Sequence, residues 1–289
     1  MASVTANGIT IEYEDLGDGE PLLLVMGLSG QLTDWPQGFV DEIVERGFRV
    51  IRFDNRDIGL STEFTSTPPT TAQLAKALLS RRPVPAEYRI SDMASDAAGL
   101  LDALEIDSAH VVGMSMGGMI AQALAIGHPT RVRSMTSIMS STGNRRVGQP
   151  KLSLIRRFAR RQVPTRETAV DVGVETFRAI SGPTFDEAEA RAMVAASVAR
   201  SFRPAGVARQ TAAIIASPDR TAGLRRLDVP ALVIHGLVDP LVRLSGGIAT
   251  AAAIPQSRLL VFNDMAHDLP RSRWQEMADA IGVNAARAA

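Results

Sequence analysis

The residues able to do chemistry in this 289-residue chain are a serine framed by glycines, a histidine in a polar loop and an aspartate at a strand end. Gly113-Met114-Ser115-Met116-Gly117 has the spacing Gly-x-Ser-x-Gly, and Gly118 follows it. The motif stands directly after the apolar Val111-Val112 and before a helical run, Met119 to Ile126. A serine presented at a strand end needs a sharp turn into the next helix, and small flanking residues let the backbone pass close by. Its hydroxyl is a weak nucleophile until a base within hydrogen-bond reach takes the proton, and that base must be oriented by a third group. Of the four histidines, His110 and His235 lie in or at the end of apolar strands, and His128 precedes Pro129 at a helix end. Packing or capping suits those three. His267 differs, because it follows the strand Arg258 to Phe262 in the polar loop Asn263 to Pro270, at the carboxyl end of a strand, where α/β sheets place their ligands.

The orienting acid is expected at another strand end. Asp239 closes the run Ala231 to Val238 and gives the chain order serine, acid, histidine. Asp264 and Asp268 are nearer to His267 in sequence, but such close neighbours on one short loop rarely meet the imidazole in line, and they read as loop caps. Attack on a carbonyl creates an oxyanion that backbone N–H groups can stabilise. Met116 N–H, at a helix N-terminus, and an N–H of Gly27 or Leu28, after the strand Leu22 to Met26, are the expected donors.

The elements that must position these groups alternate. Thr10 to Glu14 reads as an antiparallel edge strand, and Pro21 to Met26, Phe48 to Phe53, Ala109 to Gly113, Val132 to Ile138, Ala231 to His235 and Arg258 to Phe262 as further strands. Helical spacing recurs over Phe39 to Arg46, over Ser91 to Leu104 with Ser91 and Asp92 as the expected N-cap, and over Leu244 to Ile254 and Arg273 to Val283. Strand and helix trading places in this way predicts the α/β class: a mostly parallel sheet with helices on both faces. The interval between Ile138 and Ala231 is too long for a crossover and reads as an insertion of short helices, punctuated at Pro150, Pro164, Gly182-Pro183 and Pro204. The expected organisation is a core domain, residues 1–140 and 227–289, with a helical insertion at 141–226.

From Arg145 to Arg226 the chain carries 16 Lys or Arg against 7 Asp or Glu, although its formal net charge is +0. That excess is either a solvated face or an attractor for an anionic substrate. The charged loop Asp54 to Ser61 reads as a structural network at a strand end. Zero cysteines exclude disulfides and thiolate chemistry, and the neutral balance gives no reason to expect nucleic acid or an anionic membrane as partner. Neither a signal-peptide pattern at Met1 to Gly8 nor a membrane-length apolar run is present, so the expectation is a soluble, cytoplasmic protein.

Together, Leu22 to Leu28, Asp54 to Ser61, Gly113 to Gly118, Asp239-Pro240 and Met265-Ala266-His267 resemble the α/β-hydrolase family over nearly the whole chain. Within it, Leu22 to Gly27, with Met26 where many relatives have histidine, and the Gly-Met-Ser-Met-Gly elbow are similar to aclacinomycin methylesterase-like enzymes. The resemblance implies a helical cap over the site, no cofactor or metal, and hydrolysis of a carboxylic ester. In that reading Ser115, His267 and Asp239 act in acyl transfer on a small-molecule ester, with Met114 and Met116 helping to form an apolar pocket that favours a hydrophobic or medium-sized substrate. Carbon–carbon bond hydrolysis, cofactor-free perhydrolysis and a noncatalytic small-molecule receptor stay open as alternatives, as does the oligomeric state.

Overall fold

The computed structural model describes residues 1–80, 84–159 and 162–288. Eight strands form one sheet: β1 (Ala2–Ala6), β2 (Ile9–Leu16), β3 (Glu20–Val25), β4 (Phe48–Phe53), β5 (Ala109–Met114), β6 (Val132–Ile138), β7 (Ala231–Gly236) and β8 (Ser257–Phe262). Their order is β1-β2-β4-β3-β5-β6-β7-β8. β1 with β2 and β2 with β4 are antiparallel, while every pair from β4 across to β8 is parallel. Parallel strands covered on both faces need continuous apolar runs. Leu22, Leu23, Leu24 and Val25 of β3 and Ala231 to Ile234 of β7 meet that need, and all are buried.

Helices cover the two faces. On one side α3 (Ile90–Ala103), α4 (Met116–Gly127) and α10 (Ser245–Ala253) pack through Met93, Leu100, Leu101, Ile120, Leu124 and Ala253. On the other, α1 (Gln37–Glu45) and α11 (Trp274–Ala285) contribute Phe39, Val40, Ile43, Met277 and Ile281. Each of these side chains except Ala253 is worth about 1.5–3 kcal/mol on burial. α2 (Thr71–Ser80) lies between β4 and α3 in the chain, and α5 (Leu152–Ala159), α6 (Ala169–Ile180), α7 (Glu187–Arg200), α8 (Pro204–Ala216) and α9 (Thr221–Leu224) lie between β6 and β7. No helix among the described residues is long and apolar enough to cross a membrane.

Two local expectations are corrected. The strand at Thr10 to Glu14 is not the sheet edge, because β1 pairs outside it with Val4 opposite Ile11. Ala2-Ser3-Val4-Thr5-Ala6 has too little hydrophobic contrast to declare a strand and gains its order by pairing. α3 begins at Ile90 with Arg89 as N-cap, and Asp92 accepts the Arg89 N–H at 2.6 Å from inside the first turn. Asp92 therefore acts one turn later than its type implied.

The sheet order fixes where the loops meet. β4 lies on one side of β3 and β5 on the other, so the connections leaving β3 and β5 part at their carboxyl ends. Such a switch point opens a crevice. The segments after β3, β5, β7 and β8 carry Gly27, Ser115, Asp239 and His267 respectively.

Candidate active site

Ser115 links β5 to α4 in a conformation that L residues rarely adopt, φ 56° and ψ −117°. Strain of this kind persists only where the surroundings impose it. Here the glycines permit the close packing that does so. A Cβ on Gly113 would stand 2.1 Å from Gly117 O, one on Gly117 1.9 Å from Val25 O, and one on Gly118 2.6 Å from Ser140 Cβ. The Ser115 N–H donates to Ile138 O at 2.9 Å, and its carbonyl accepts the Ser140 hydroxyl at 2.7 Å. The elbow is thus tied through the serine's own N–H and carbonyl to the end of β6 and to the segment just after it.

The Ser115 hydroxyl is 2.9 Å from His267 Nε2, and His267 Nδ1 is 2.8 Å from Asp239 Oδ2. Residues 152 and 28 positions apart in sequence are joined in one line. Asp239 Oδ1 accepts the N–H groups of Leu241 and Val242, both at 2.8 Å, so one carboxylate oxygen is fixed by backbone and the other is left for the imidazole. The side chain of Asp239 is fully buried and that of His267 nearly so. A hydroxyl, imidazole and buried carboxylate in this order can pass a proton from oxygen to Nε2 while the acid stabilises the resulting imidazolium.

Met116 is the first residue of α4, where a helix leaves its N–H groups without intrahelical acceptors. Gly27 lies against the serine, and a Cβ there would be 3.2 Å from Ser115 Cβ and 3.8 Å from Ser115 Oγ. Met26 precedes a tight turn, residues 27–30, in which Gly30 N–H donates to Gly27 O and Ser29 takes φ 66°. The Met26 carbonyl accepts the Asn55 side-chain amide at 3.0 Å. The pocket expectation for Met116 is corrected: its side chain is buried in the core beneath the sheet, and only its backbone faces the serine turn. Met114 is half-buried beside the opposite apolar cluster.

The other histidines and acids have separate partners. His110 meets Ser134 and Glu20, and His128 lies 3.4 Å from Ser95. His235 is fully buried behind Asp239, with Nε2 2.7 Å from Val242 O; burial holds its pKa below the ordinary histidine value. Asp264 pairs with Arg273, and Asp268 accepts Gly182 N–H and Ala266 N–H, the loop-capping role its position implied. Among the described residues, no group of His, Asp and Glu has the arrangement of a metal site.

The Asp54 to Ser61 loop is a buried network, as its charges implied. Asp54 accepts Leu32 N–H and Leu60 N–H and meets Arg200 of α7 at 2.8 Å. Arg56 pairs with Asp96, and Asp57 takes a two-point contact from Arg209 of α8 together with the Tyr88 hydroxyl. Of the basic residues of the insertion, Arg200, Arg203 and Arg209 pair with acids outside it, while Arg157 with Glu175, Arg191 with Asp171 and Arg178 with Glu187 pair within it. Arg160 and Arg161, part of that set, lie outside the described residues. Gln31 and Gln210 gave no sequence signal, and Asn55 stood out only as a member of the Asp54 to Ser61 loop. Each glutamine is an uncharged amide without a motif, made meaningful only by contacts across the fold.

The model of the alpha/beta hydrolase fold matches residues 20–270. The chain belongs to this family. It is 29% identical, over 96% of its length and 95% of the relative, to rhodomycin D methylesterase of Streptomyces sp. strain C5. It is 30% identical, over 91% of its length and 86% of the relative, to 2-hydroxymuconate semialdehyde hydrolase of Pseudomonas sp. strain CF600. Among solved structures, a thermophilic esterase from Thermogutta terrifontis superposes with a TM-score of 0.75 at 24% identity, covering 100% of this chain and 99% of that one, a likeness of fold alone. The family and its mostly parallel sheet agree with the sequence expectation.

Proposed function

We propose that the protein is a serine hydrolase that cleaves a small or medium-sized hydrophobic carboxylic ester through an acyl-enzyme. The observation that carries this reading is the unbroken line from Ser115 Oγ through His267 to the backbone-anchored carboxylate of Asp239. Similarity to a methylesterase over nearly the full length supports the ester as the bond attacked.

In this mechanism Ser115 Oγ attacks the ester carbonyl carbon as His267 Nε2 takes its proton. The carbonyl π electrons move onto oxygen, and the N–H groups of Met116 and of Leu28 or Gly27 receive that charge at about 3 kcal/mol per donor. Collapse of the tetrahedral intermediate expels the alkoxide, which leaves as alcohol with the proton from His267. A water, deprotonated by the same imidazole, then attacks the acyl-enzyme, and the acid and free serine are released. Asp239 holds the Nδ1–H tautomer throughout. The helices of residues 141–226 serve as a cap, with Arg200 of α7 bonded to Gln31 after β3 and Asp54 after β4, and Arg209 of α8 bonded to Asp57 after β4.

A panel of p-nitrophenyl and methyl esters of increasing acyl length, assayed with the native protein and Ser115→Ala, tests the reading. Turnover of at least one ester, reduced about a thousandfold or more by the substitution, is expected. Equal turnover by both proteins contradicts it. Carbon–carbon hydrolysis is the second reading, favoured by the similarity to the semialdehyde hydrolase. Vinylogous diketone substrates in the same panel separate the two by product.

A further inference from the structure

The segment that follows β3 is held from the insertion at two places, at Gln31 by Ser197, Arg200 and Ser201, and at Ser29 by the buried side chain of Gln210. Ser29 adopts φ 66°, unfavourable for a residue with a Cβ, so contacts around the turn must maintain it. Its N–H donates to Gln210 Oε1 at 3.1 Å, and Gln210 Nε2 donates to Arg56 O at 2.8 Å. Gln210 has 0% exposure, and its bond to Arg56 is buried, while Ser29 at the other end is exposed.

Helix α8 is registered to deliver that amide. A Cβ on Gly206 would stand 2.1 Å from Asp57 O, so only glycine lets the helix approach this closely. Arg209 fixes the same loop through both carboxylate oxygens of Asp57. Positions 206, 209 and 210 share one helical face, and the third points the amide between the loops after β3 and β4. Asn55 grips the Met26 carbonyl from one side of the turn while Gln210 grips the Ser29 N–H from the other. Between these two holds lie Gly27, which is against Ser115, and Leu28.

We propose that Gln210 is a positioning residue for the oxyanion donor of the β3 loop: its amide, buried on cap helix α8, sets the place of the Leu28 N–H by clamping Ser29 to Arg56. The inference rests on the proposed acyl transfer. Its consequence is that the donor pair facing the oxyanion is complete only while α8 is seated, which couples the cap to the chemical step as well as to substrate enclosure.

The test compares native protein, Gln210→Met and Arg203→Ala on the best ester of the panel and on phenylboronic acid. The boron accepts the Ser115 oxygen and presents a tetrahedral oxygen to the same donors. Arg203 joins the start of α8 to Ser61 O and pairs with Glu63, both in the segment after β4. Expected for Gln210→Met is a fall in kcat of about tenfold or more with KM within about twofold, and a matching loss of boronate affinity. Arg203→Ala is expected to lower the melting temperature while keeping kcat and boronate affinity within about twofold of native. Should Gln210→Met be insoluble, Gln210→Glu is used, which keeps the acceptor for Ser29 and loses the donor to Arg56; the same split between kcat and KM is expected. Native kcat and boronate affinity in the Gln210 variant, or equal losses in Arg203→Ala, overturn the proposal while leaving the ester reading intact. A native protein that neither hydrolyses esters nor binds the boronate removes both.

Discussion

The side-chain amide of Asn55 donates to the carbonyl of Met26 at 3.0 Å, deep in the core and across two neighbouring strand ends. Met26 follows β3 and Asn55 lies two residues beyond β4, strands whose last residues, Val25 and Phe53, are direct partners. Register therefore brings the amide to the carbonyl, and the loop beside Ser115 is held without a histidine at position 26.

Replacing Asn55 by Ala leaves the buried Met26 carbonyl without its side-chain donor. A cost of about 1–3 kcal/mol in unfolding free energy is expected. Because the freed loop carries Gly27 and Leu28, kcat should fall by about tenfold as well. Urea titration and steady-state kinetics on one preparation check both. Native kcat in a destabilised variant would show that the contact serves the fold alone.

Asp239→Asn makes a sharper prediction about tautomers. The oxygen now receiving Leu241 N–H and Val242 N–H must stay an acceptor, so the new NH₂ group faces His267. Nδ1 then becomes the acceptor, the ring proton moves to Nε2, and Ser115 loses its base. A kcat loss of about 10⁴-fold with little change in melting temperature is expected. A loss below about tenfold would mean that another group orients the imidazole.

The elbow serine, the loop histidine and the strand-end acid were legible because each is marked locally, by glycine spacing or by a polar residue closing an apolar run. The parallel order was legible for the same reason, since both-face burial requires runs such as Leu22 to Val25. Met116 misled because the glycine motif gives its position but not its χ angles; the side chain turns into the core and only the N–H stays at the turn. Gln210 lies 181 residues from Ser29, and a glutamine inside a helix has the same local statistics whether it faces water or clamps a strained turn. The first strand was silent because its order comes from pairing with β2 rather than from its own hydrophobic contrast.

Asp34 gives a pH dependence of stability. Burial pushes its pKa up to about 6 from 3.8, although Gln31 N–H and the Ser197 hydroxyl favour the charged form, with Asp54 and Arg200 facing it at longer range. The folded state thus keeps a proton that the unfolded chain releases. This contribution is full below about pH 4, declines as pH rises toward about 6, and is flat above. Asp34→Asn mimics the protonated acid and removes the decline. Between pH 4.5 and 7 the variant is expected to gain on the native protein, by no more than about 3 kcal/mol in urea unfolding. A stability difference constant across that range would contradict the assignment.

Arg220 is a buried cation with neutral partners. Its Nε donates to Gln122 Oε1 at 3.1 Å and its Nη2 to Ser141 O at 2.9 Å, and burial draws its pKa down to about 10. Arg220→Leu strands both acceptors behind α4 and should cost about 2–4 kcal/mol. Double substitution with Gln122→Leu is expected to recover part of that loss, which a thermodynamic cycle from four unfolding curves measures. Strict additivity would show that the pair is not coupled.

The most direct test of the central claim is mass spectrometric mapping of a fluorophosphonate adduct on the native protein. The account predicts a single stoichiometric adduct on Ser115, formed with loss of fluoride, abolished by Ser115→Ala and slowed about a thousandfold or more by His267→Ala. A native protein that turns over esters while Ser115 stays unmodified, or that carries the adduct on a different residue, would contradict it.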